Sequence, residues 1–287
     1  MPKHIEIFQI DAFTSEPFGG NPAAVVFDDS LIESEMQNIA AEMNLSETAF
    51  LSHSNNANFN LRWFTPKNEV NLCGHATIAS LHFLYENNLI RNNSSLSFST
   101  KSGLINAGKS EAFYWMKIPE IEFYKTEFHP SEILNALGLT ASQVSKEIFV
   151  GSNKYLFIGV DNLNTLFNLE IDFIKLSKII SSQKIFSDIA VYTLETIEKN
   201  SAAHLRFFAP AEGIFEDPVT GSAAGPLLKL LIEQSLVNDF TDGKIYTVEQ
   251  GDVMKRKGRV GVSYNRNNSE LKIYGNAVTI IKGKLFF

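Results

Sequence analysis

Cysteine is almost absent from this sequence of 287 residues, which contains only Cys73. A single cysteine excludes an intrachain disulfide and a zinc site built from several thiolates, and it is typical of proteins in a reducing compartment. Positive charge is also scarce, since 25 Lys and Arg are outnumbered by 32 Asp and Glu. Domains that bind nucleic acids usually carry a basic surface, so we expect no nucleic-acid partner.

Long apolar runs are missing as well. No window approaches the roughly 18 uninterrupted apolar residues of a membrane-spanning helix. Residues 1–13 alternate between polar and apolar side chains, and they lack the charged segment and apolar run of a secretion signal. We therefore expect a cytoplasmic protein with no membrane partner.

Apolar side chains are nevertheless abundant enough for large hydrophobic cores, since they make up 44% of the sequence and include 23 Phe. At roughly 150 residues per domain the length favours two domains, and we place the boundary within residues 119–130. The apolar pattern changes repeatedly between a period of two, typical of strands, and about 3.6, typical of helices. Two segments, 75–88 and 224–237, are apolar nearly all round and predict buried helices. The sequence therefore predicts a mixed α and β class.

An internal repeat supports two similar halves. Leu61–Pro66 (LRWFTP) recurs as Leu205–Pro210 (LRFFAP), and each copy leads into small residues and an apolar helix. The same offset, continued without a gap, pairs Cys73 with Asp217 and Glu47 with Val191. Two facing copies of one unit would form a cleft between domains, which is a favoured place for a small ligand.

The small residues lie where each predicted helix begins. A helix N-terminus exposes unpaired backbone N–H groups, so an anion can approach it closely where side chains are small. We expect a substrate carboxylate to bind there, with the candidate binding residues Gly74, Ala76, Thr220, Gly221 and Ser222. The alternative is that these residues only cap their helices.

Cys73 and Asp217 are candidates for a pair of bases. Two such groups facing each other could act as a racemase, one removing a proton and the other returning it, and a thiol at a helix N-terminus has a lowered pKa. The pair is chemically mismatched, however, and a lone cysteine among apolar residues is usually an inert buried thiol.

Glu47 and His75 are the other candidate catalytic residues. Glu47 precedes an apolar strand, and burial there would raise the pKa of its carboxyl towards that of a general acid/base. His75 could orient a carboxylate or transfer a proton at neutral pH. A water-exposed glutamate and a capping histidine are the alternatives. No His or Cys recurs at the spacing of a metal motif, so we expect no metal.

One further motif matches a known pattern by chance. Gly103–Ser110 has the letters of a Walker A nucleotide-binding loop. That chemistry needs a helix after the loop, whereas an aromatic-rich segment typical of a strand follows here. We therefore expect no nucleotide cofactor.

Five blocks of the sequence together resemble the phenazine-biosynthesis PhzF family. They are Asp11–Thr14, Gly20–Val26, Asn44–Thr48, Leu72–Thr77 and Glu216–Ala223. The blocks occur in the family's order over nearly the whole chain. The segment Met254–Gly258 retains Arg256 but has lysine where the family usually has the glycine and the proline of Met-Gly-Arg-Pro-Ser, so the resemblance does not identify the substrate.

The resemblance implies an α+β, diaminopimelate epimerase-like fold of two pseudo-symmetric domains, each with a sheet wrapped around a central buried helix. We place these domains at residues 1–122 and 123–277, with the last strand (about 278–287) joining the first. The resemblance also implies a homodimer and an isomerase that needs no cofactor. In that reading a residue matching Glu47 shuttles a proton between two carbons, and residues matching His75 and Asp217 hold and polarise the substrate.

The sequence thus predicts an isomerase or epimerase of the PhzF type that acts on a small carboxylate-bearing metabolite with Glu47 as general acid/base. Two alternatives stay open. One is a two-base racemase that uses Cys73 and Asp217, and the other is a protein of the same fold that binds small acids without turnover.

Overall fold

The computed structural model describes residues 3–91, 95–126 and 130–287. The chain divides into two compact units. Unit 1 comprises Met1–Ile118, Arg256–Val260 and Lys272–Phe287, and unit 2 comprises Pro119–Lys255 and Gly261–Leu271. The sequence prediction placed the corresponding limits at residues 122 and 277.

Unit 1 is a sheet with two helices. Its strands are β1 (His4–Ala12), β2 (Asn21–Phe27), β3 (Glu47–His53), β4 (Phe59–Phe64), β5 (Glu69–Val70), β6 (Ser95–Thr100), β7 (Gly103–Lys109), β8 (Tyr114–Ile118) and β18 (Ala277–Phe286). The helices are α1 (Glu33–Met43) and α2 (Gly74–Glu86).

Unit 2 repeats this mixture of elements. Its strands are β9 (Phe123–Lys125), β10 (Phe149–Gly151), β11 (Tyr155–Gly159), β12 (Asp188–Thr193), β13 (Ser201–Ala209), β14 (Ile214–Asp217) and β15 (Tyr246–Gln250). Its helices are α3 (Ser131–Ala136), α4 (Leu163–Phe167), α5 (Phe173–Ser182) and α6 (Gly221–Glu233). Strands β16 (Gly258–Asn265) and β17 (Glu270–Gly275) are divided between the units.

The strand pairing of unit 2 copies that of unit 1. In unit 1, β2 is parallel to β3, β3 is antiparallel to β4, and β4 pairs with β5 and, in parallel, with β6. In unit 2, β11 is parallel to β12, β12 is antiparallel to β13, and β13 pairs with β14 and, in parallel, with β15. A buried helix follows β5 in one unit and β14 in the other. The predicted pseudo-symmetry is therefore present in the fold.

The register corrects the pairing of Cys73 with Asp217. Val70 lies opposite Trp63, and Asp217 lies opposite Phe207, which is the repeat partner of Trp63. Asp217 thus corresponds to Val70. The offset grows after β13 because unit 2 carries an additional 3₁₀ turn, Pro210–Glu212. A comparison without gaps could not allow for this insertion.

The helix N-termini confirm the larger offset. Helices α2 and α6 both have 13 residues, and they begin at Gly74 and Gly221. The residue before α6 is Thr220, so Cys73 corresponds to Thr220. By the same offset His75 corresponds to Ser222.

Hydrophobic burial holds α2 and α6 in place, as their apolar sequences predicted. Nearly every residue of α2 is buried, and the helix packs against β1, β2, β3 and β8. Helix α6 is buried over most of its length and packs against β13 and β15. Apolar surface removed from water contributes about 25 cal/mol per Å², so each central helix fixes the sheet around it. Both N-termini are thereby held on rigid elements.

No helix among the described residues is long and apolar enough to cross a membrane.

Candidate active site

Glu47 and His75 are brought into direct contact in unit 1. Glu47 begins β3, and His75 is the second residue of α2. The Nε2 atom of His75 lies 3.2 Å from Oε2 of Glu47, and the two side chains are 5% and 13% exposed. These two predicted site residues therefore form one cluster, with the carboxylate within proton-transfer reach of the imidazole.

Asn21 holds the other side of the imidazole. The Asn21 Nδ2 atom lies 3.1 Å from Nδ1 of His75, and both side chains are buried. Because an amide nitrogen only donates, Nδ1 is the acceptor and the neutral ring carries its proton on Nε2. The Nε2 atom that carries this proton is the one that lies 3.2 Å from Glu47. Asn21 was not among the predicted site residues, because its position in β2 is typical of an ordinary strand residue.

Burial keeps this imidazole neutral. Desolvation in the interior of unit 1 lowers the pKa of His75 from its ordinary value of 6.5 to about 3. The contact with Glu47 is therefore between a carboxyl group and a neutral ring, with no ion pair at neutral pH. His75 can hold and orient a carboxylate, but it does not supply a positive charge.

The lowered pKa makes a prediction about stability. Between pH 6.5 and about 3 the unfolded chain binds a proton at residue 75 and the folded chain does not. Stability is therefore full above pH 6.5 and is lost as the pH falls, with a contribution of about 1.4 kcal/mol per pH unit. Denaturant unfolding at several pH values should show this slope in the wild type, and His75→Gln should lack it. An equal slope in both proteins would contradict the neutral assignment.

Cys73 lies beside the same ring. Its Sγ is 3.5 Å from Nδ1 and 3.9 Å from Nε2 of His75, and the thiol is buried. The side chain makes no capping hydrogen bond to the start of α2. Gly74 and Ala76 are also buried within this first turn.

A tight turn positions Asn21. Gly20 has φ +55°, and a Cβ there would lie 2.0 Å from the Ala12 carbonyl oxygen, so only glycine fits. Arg256 donates to the Gly19 carbonyl at 2.7 Å and to the Gly20 carbonyl at 3.0 Å. It also donates to Asp11 Oδ1 at 2.8 Å. The residue retained from the family's pattern thus fixes the strand start that bears Asn21.

Lys255, next to Arg256, departs from the family's sequence pattern and has a strained backbone conformation. Lys255, which stands where the family has glycine, has φ +58°. A side chain in this left-handed region costs about 1–2 kcal/mol. The backbone conformation that glycine would favour is therefore retained here despite the change of residue.

Unit 2 carries a second cluster around Asp217, at the end of β14. Asp217 Oδ2 accepts a hydrogen bond from the Thr220 hydroxyl at 2.5 Å. The amide of Gln250 donates to the Asp217 carbonyl at 2.8 Å and accepts from the Thr220 N–H at 2.8 Å. All three residues are buried. Thr220 is therefore bound to the aspartate and does not cap α6 with its side chain.

Gln250 should be a strong structural residue of this cluster. Replacing it with Leu removes the partners of a buried carbonyl and a buried N–H, each costing about 1–3 kcal/mol. We expect Gln250→Leu to lower the free energy of unfolding by about 3 kcal/mol, measured by denaturant titration. Gln37→Leu, at a partly buried amide with one hydrogen bond to the Thr65 carbonyl, is the control and should cost less. Equal losses would contradict the role assigned to Gln250.

Ser222 is held by a residue that sequence analysis missed. The hydroxyl of Tyr155, the first residue of β11, lies 3.2 Å from Ser222 Oγ. In unit 1 the corresponding second residue of its helix, His75, contacts Glu47. A side chain from the neighbouring sheet thus meets the second helical residue in both units. No local pattern marks Tyr155, because the contact joins segments far apart in the chain.

The repeat partner of Glu47 is another carboxylate. Phe50 lies opposite Arg62 and Val191 lies opposite Arg206, so Val191 corresponds to Phe50. Glu47 and Asp188 are the first residues of the matching strands. Pairing Glu47 with Val191 was therefore wrong, because the chain runs 12 residues from Phe50 to Arg62 in unit 1 but 15 residues from Val191 to Arg206 in unit 2. Asp188 is buried and accepts a hydrogen bond from Ser187 Oγ at 2.7 Å.

The Walker-like letters do not form a phosphate loop. Gly103–Lys109 form β7, which pairs with β6 and β8. No helix begins at Ser110, so the N–H groups that would bind phosphates are absent from this segment.

Comparison with known proteins places the chain in a family. The sequence profile of PhzC-PhzF, described as phenazine biosynthesis-like protein, matches residues 10–283. An uncharacterized isomerase of Halalkalibacterium halodurans is 35% identical over 281 residues, covering 97% of each chain. The crystal structure of a PhzF-family phenazine biosynthesis protein from Bacillus anthracis has a TM-score of 0.88 at 31% identity, covering 99% of this chain and 100% of that one.

A more distant structure shares the fold alone. A hydroxyproline epimerase from Agrobacterium vitis has a TM-score of 0.63 at 10% identity, covering 100% of this chain and 94% of that one. The predicted α+β, epimerase-like class is thereby confirmed. From its matching profile and relatives, the chain belongs to the phenazine biosynthesis-like (PhzC-PhzF) family.

Proposed function

We propose that this protein is an isomerase of the PhzF type that moves a proton between carbons of a small carboxylate-bearing metabolite without a cofactor. Relatives named as isomerases support the reaction class. The observation that carries the proposal is the cluster of Glu47 with His75, a carboxylate at 3.2 Å from a buried neutral imidazole.

Glu47 is the proposed general acid/base. Its carboxylate takes a proton from one substrate carbon, and the electron pair of the broken C–H bond is delocalised towards the substrate carboxyl group. The same carboxyl group of Glu47 then returns the proton to another carbon. The substrate changes its bonding but not its composition, so no oxidant or co-reactant is needed.

His75 and Asn21 are proposed to position this base. Asn21 fixes the ring tautomer, and the protonated Nε2 of His75 lies 3.2 Å from the carboxylate of Glu47. Because burial keeps the ring neutral, it can contact the carboxylate of Glu47 without forming an ion pair. The N–H groups at the start of α2, with Gly74 and Ala76 beside them, are proposed to bind the substrate carboxylate.

The cluster of unit 2 is proposed to complete the binding of the substrate. Asp217 and the α6 residues Gly221 and Ser222 start a second buried helix with small side chains. Thr220 and Gln250 hold Asp217 in place. That the two helix N-termini share one cleft, and that the protein is a homodimer, stay predictions.

The reaction class can be tested in D₂O. We expect the wild type to exchange C–H hydrogens of a compound from a panel of cyclohexadiene carboxylates and amino acids, observed by proton NMR. Exchange that survives in Glu47→Gln and is lost in Cys73→Ala would favour the thiol racemase. Saturable binding without exchange, for a compound whose hydrogen is known to be labile, would favour the non-catalytic binding protein.

The two-base alternative loses one of its supports. Its argument rested on Cys73 and Asp217 occupying matching positions, and the strand register matches them with Thr220 and Val70 instead. The repeat therefore no longer supports the pairing of Cys73 with Asp217, and we propose the single base at Glu47.

A further inference from the structure

We propose that Glu47, Cys73 and His75 also form a binding site for a thiophilic divalent cation, with Zn²⁺ as the expected ion, and that the bound ion inhibits the protein. The metal site follows from the geometry of unit 1. Only the inhibition rests on the proposed function, because the ion would occupy the carboxylate that acts as the base.

Three ligand atoms of different kinds lie close together in unit 1. Nε2 of His75 lies 3.2 Å from Oε2 of Glu47 and 3.9 Å from Sγ of Cys73, and one ligand atom from each residue lies within 4.8 Å of the others. A tetrahedral zinc ion holds ligands at about 2.0–2.3 Å, which separates the ligand atoms by about 3.5 Å. Sγ is nearer to Nδ1, at 3.5 Å, than to Nε2, so binding through Nε2 requires the side chains of Cys73 and His75 to rotate relative to each other before they enclose the ion.

The donor set selects the ion. Thiolate and imidazole favour zinc over magnesium or calcium, which prefer oxygen ligands. Three protein ligands leave the fourth position of the ion open to water. No sequence motif marks these ligands, because Glu47 comes from the start of β3 and the other two from the start of α2; the expectation of no metal rested on that absence.

Binding has a defined proton balance. The Zn–S bond replaces the S–H bond of Cys73, and that proton leaves to solvent. The ion takes the lone pair at Nε2 of His75, so the ring proton moves to Nδ1. The side-chain amide of Asn21, now 3.1 Å from Nδ1 through its nitrogen, must turn to accept this proton with its oxygen, as carbonyl partners of metal-bound histidines do. About one proton is released per ion when Glu47 is ionised.

Cobalt provides a direct test, because a cobalt–thiolate bond gives a charge-transfer absorption band in the near ultraviolet. We would titrate the thiol-reduced protein with Co²⁺ alone and then add Zn²⁺. The expected result is one equivalent of Co²⁺ with the band, displaced by Zn²⁺. Cys73→Ser should abolish the band, and His75→Gln should weaken binding by at least about tenfold. His53→Gln, at an exposed histidine beside Asp29, is the control and should titrate as the wild type does.

Two results would overturn the metal site. They are the absence of the band in the wild type at millimolar Co²⁺, and a band that persists in Cys73→Ser. If Cys73→Ser does not fold, the melting temperature provides a second test. Zn²⁺ should raise the melting temperature of the control His53→Gln, and it should not raise that of a double variant that carries both Glu47→Gln and His75→Gln.

The inhibition is tested separately by the exchange of substrate hydrogens with D₂O, which Zn²⁺ should suppress and a chelator restore. Exchange unaffected by saturating Zn²⁺ would overturn the inhibition and leave the cobalt result intact.

Discussion

Glu47→Gln should lower the rate of proton transfer by about 10²–10⁴-fold, because a positioned general acid/base contributes about that much. The amide has nearly the shape of the carboxyl group but cannot accept a proton from carbon. In the wild type, Nε2 of His75 lies 3.2 Å from the Glu47 side chain, and the glutamine should keep this contact. Substrate binding should therefore change much less than turnover. The measurement is kcat and KM for any compound that exchanges hydrogens with D₂O.

The control for this substitution is Glu42→Gln, which makes the same chemical change at an exposed residue of α1. Its kcat should equal that of the wild type. A variant Glu47→Gln that keeps wild-type kcat would remove Glu47 from the mechanism. A variant that loses only affinity would make Glu47 a binding residue.

Arg206→Met should destabilise the protein by about 3 kcal/mol, as expected when one member of a buried ion pair is removed. Arg206 bonds Glu216 through two nitrogens, each at 2.8 Å, and also donates to the Leu166 carbonyl at 2.9 Å. The Arg206 and Glu216 side chains are 7% and 15% exposed. Without the guanidinium, the carboxylate of Glu216 stays largely buried and loses its bidentate partner.

The repeat supplies a matched control in unit 1, where Arg62 bonds Glu69 in the same bidentate way. Arg62 is more exposed, at 30%, and Lys101 lies 3.4 Å from Glu69. We expect Arg62→Met to cost less, about 1–2 kcal/mol, because water reaches Arg62 and Lys101 stays beside the Glu69 carboxylate, although that carboxylate is itself only 10% exposed. Both values come from denaturant unfolding. A larger loss for Arg62→Met than for Arg206→Met would contradict this account.

Much of the architecture could be predicted from local sequence. The apolar segment 75–88 predicted a buried helix, and α2 covers Gly74–Glu86. The prediction for α6 began at residue 224, whereas the helix begins at Gly221. The run Gly221–Gly225 carries little hydrophobic signal, and Pro226 is disfavoured inside helices. Burial of this segment in unit 2 outweighs those local preferences.

Only those site residues that lie within recognisable sequence motifs could be predicted. Glu47, Cys73 and His75 were proposed from their positions and from resemblance, and the structure brings them together. Asn21, Tyr155 and Gln250 give no local signal as partners, because each acts through a residue distant in sequence. The equivalence of positions in the two units likewise depends on insertions that only the strand register reveals.

The central claim, a single base at Glu47 that carries a proton between two carbons, is best tested by following the proton itself. A substrate deuterated at the carbon that loses hydrogen would be isomerised in H₂O, and the earliest product would be examined by NMR and mass spectrometry. The account predicts that some product carries deuterium at the receiving carbon, because the same carboxyl group of Glu47 donates what it accepted. The claim would be contradicted if Glu47→Gln formed the product at the wild-type rate and the product carried only solvent hydrogen at the receiving carbon.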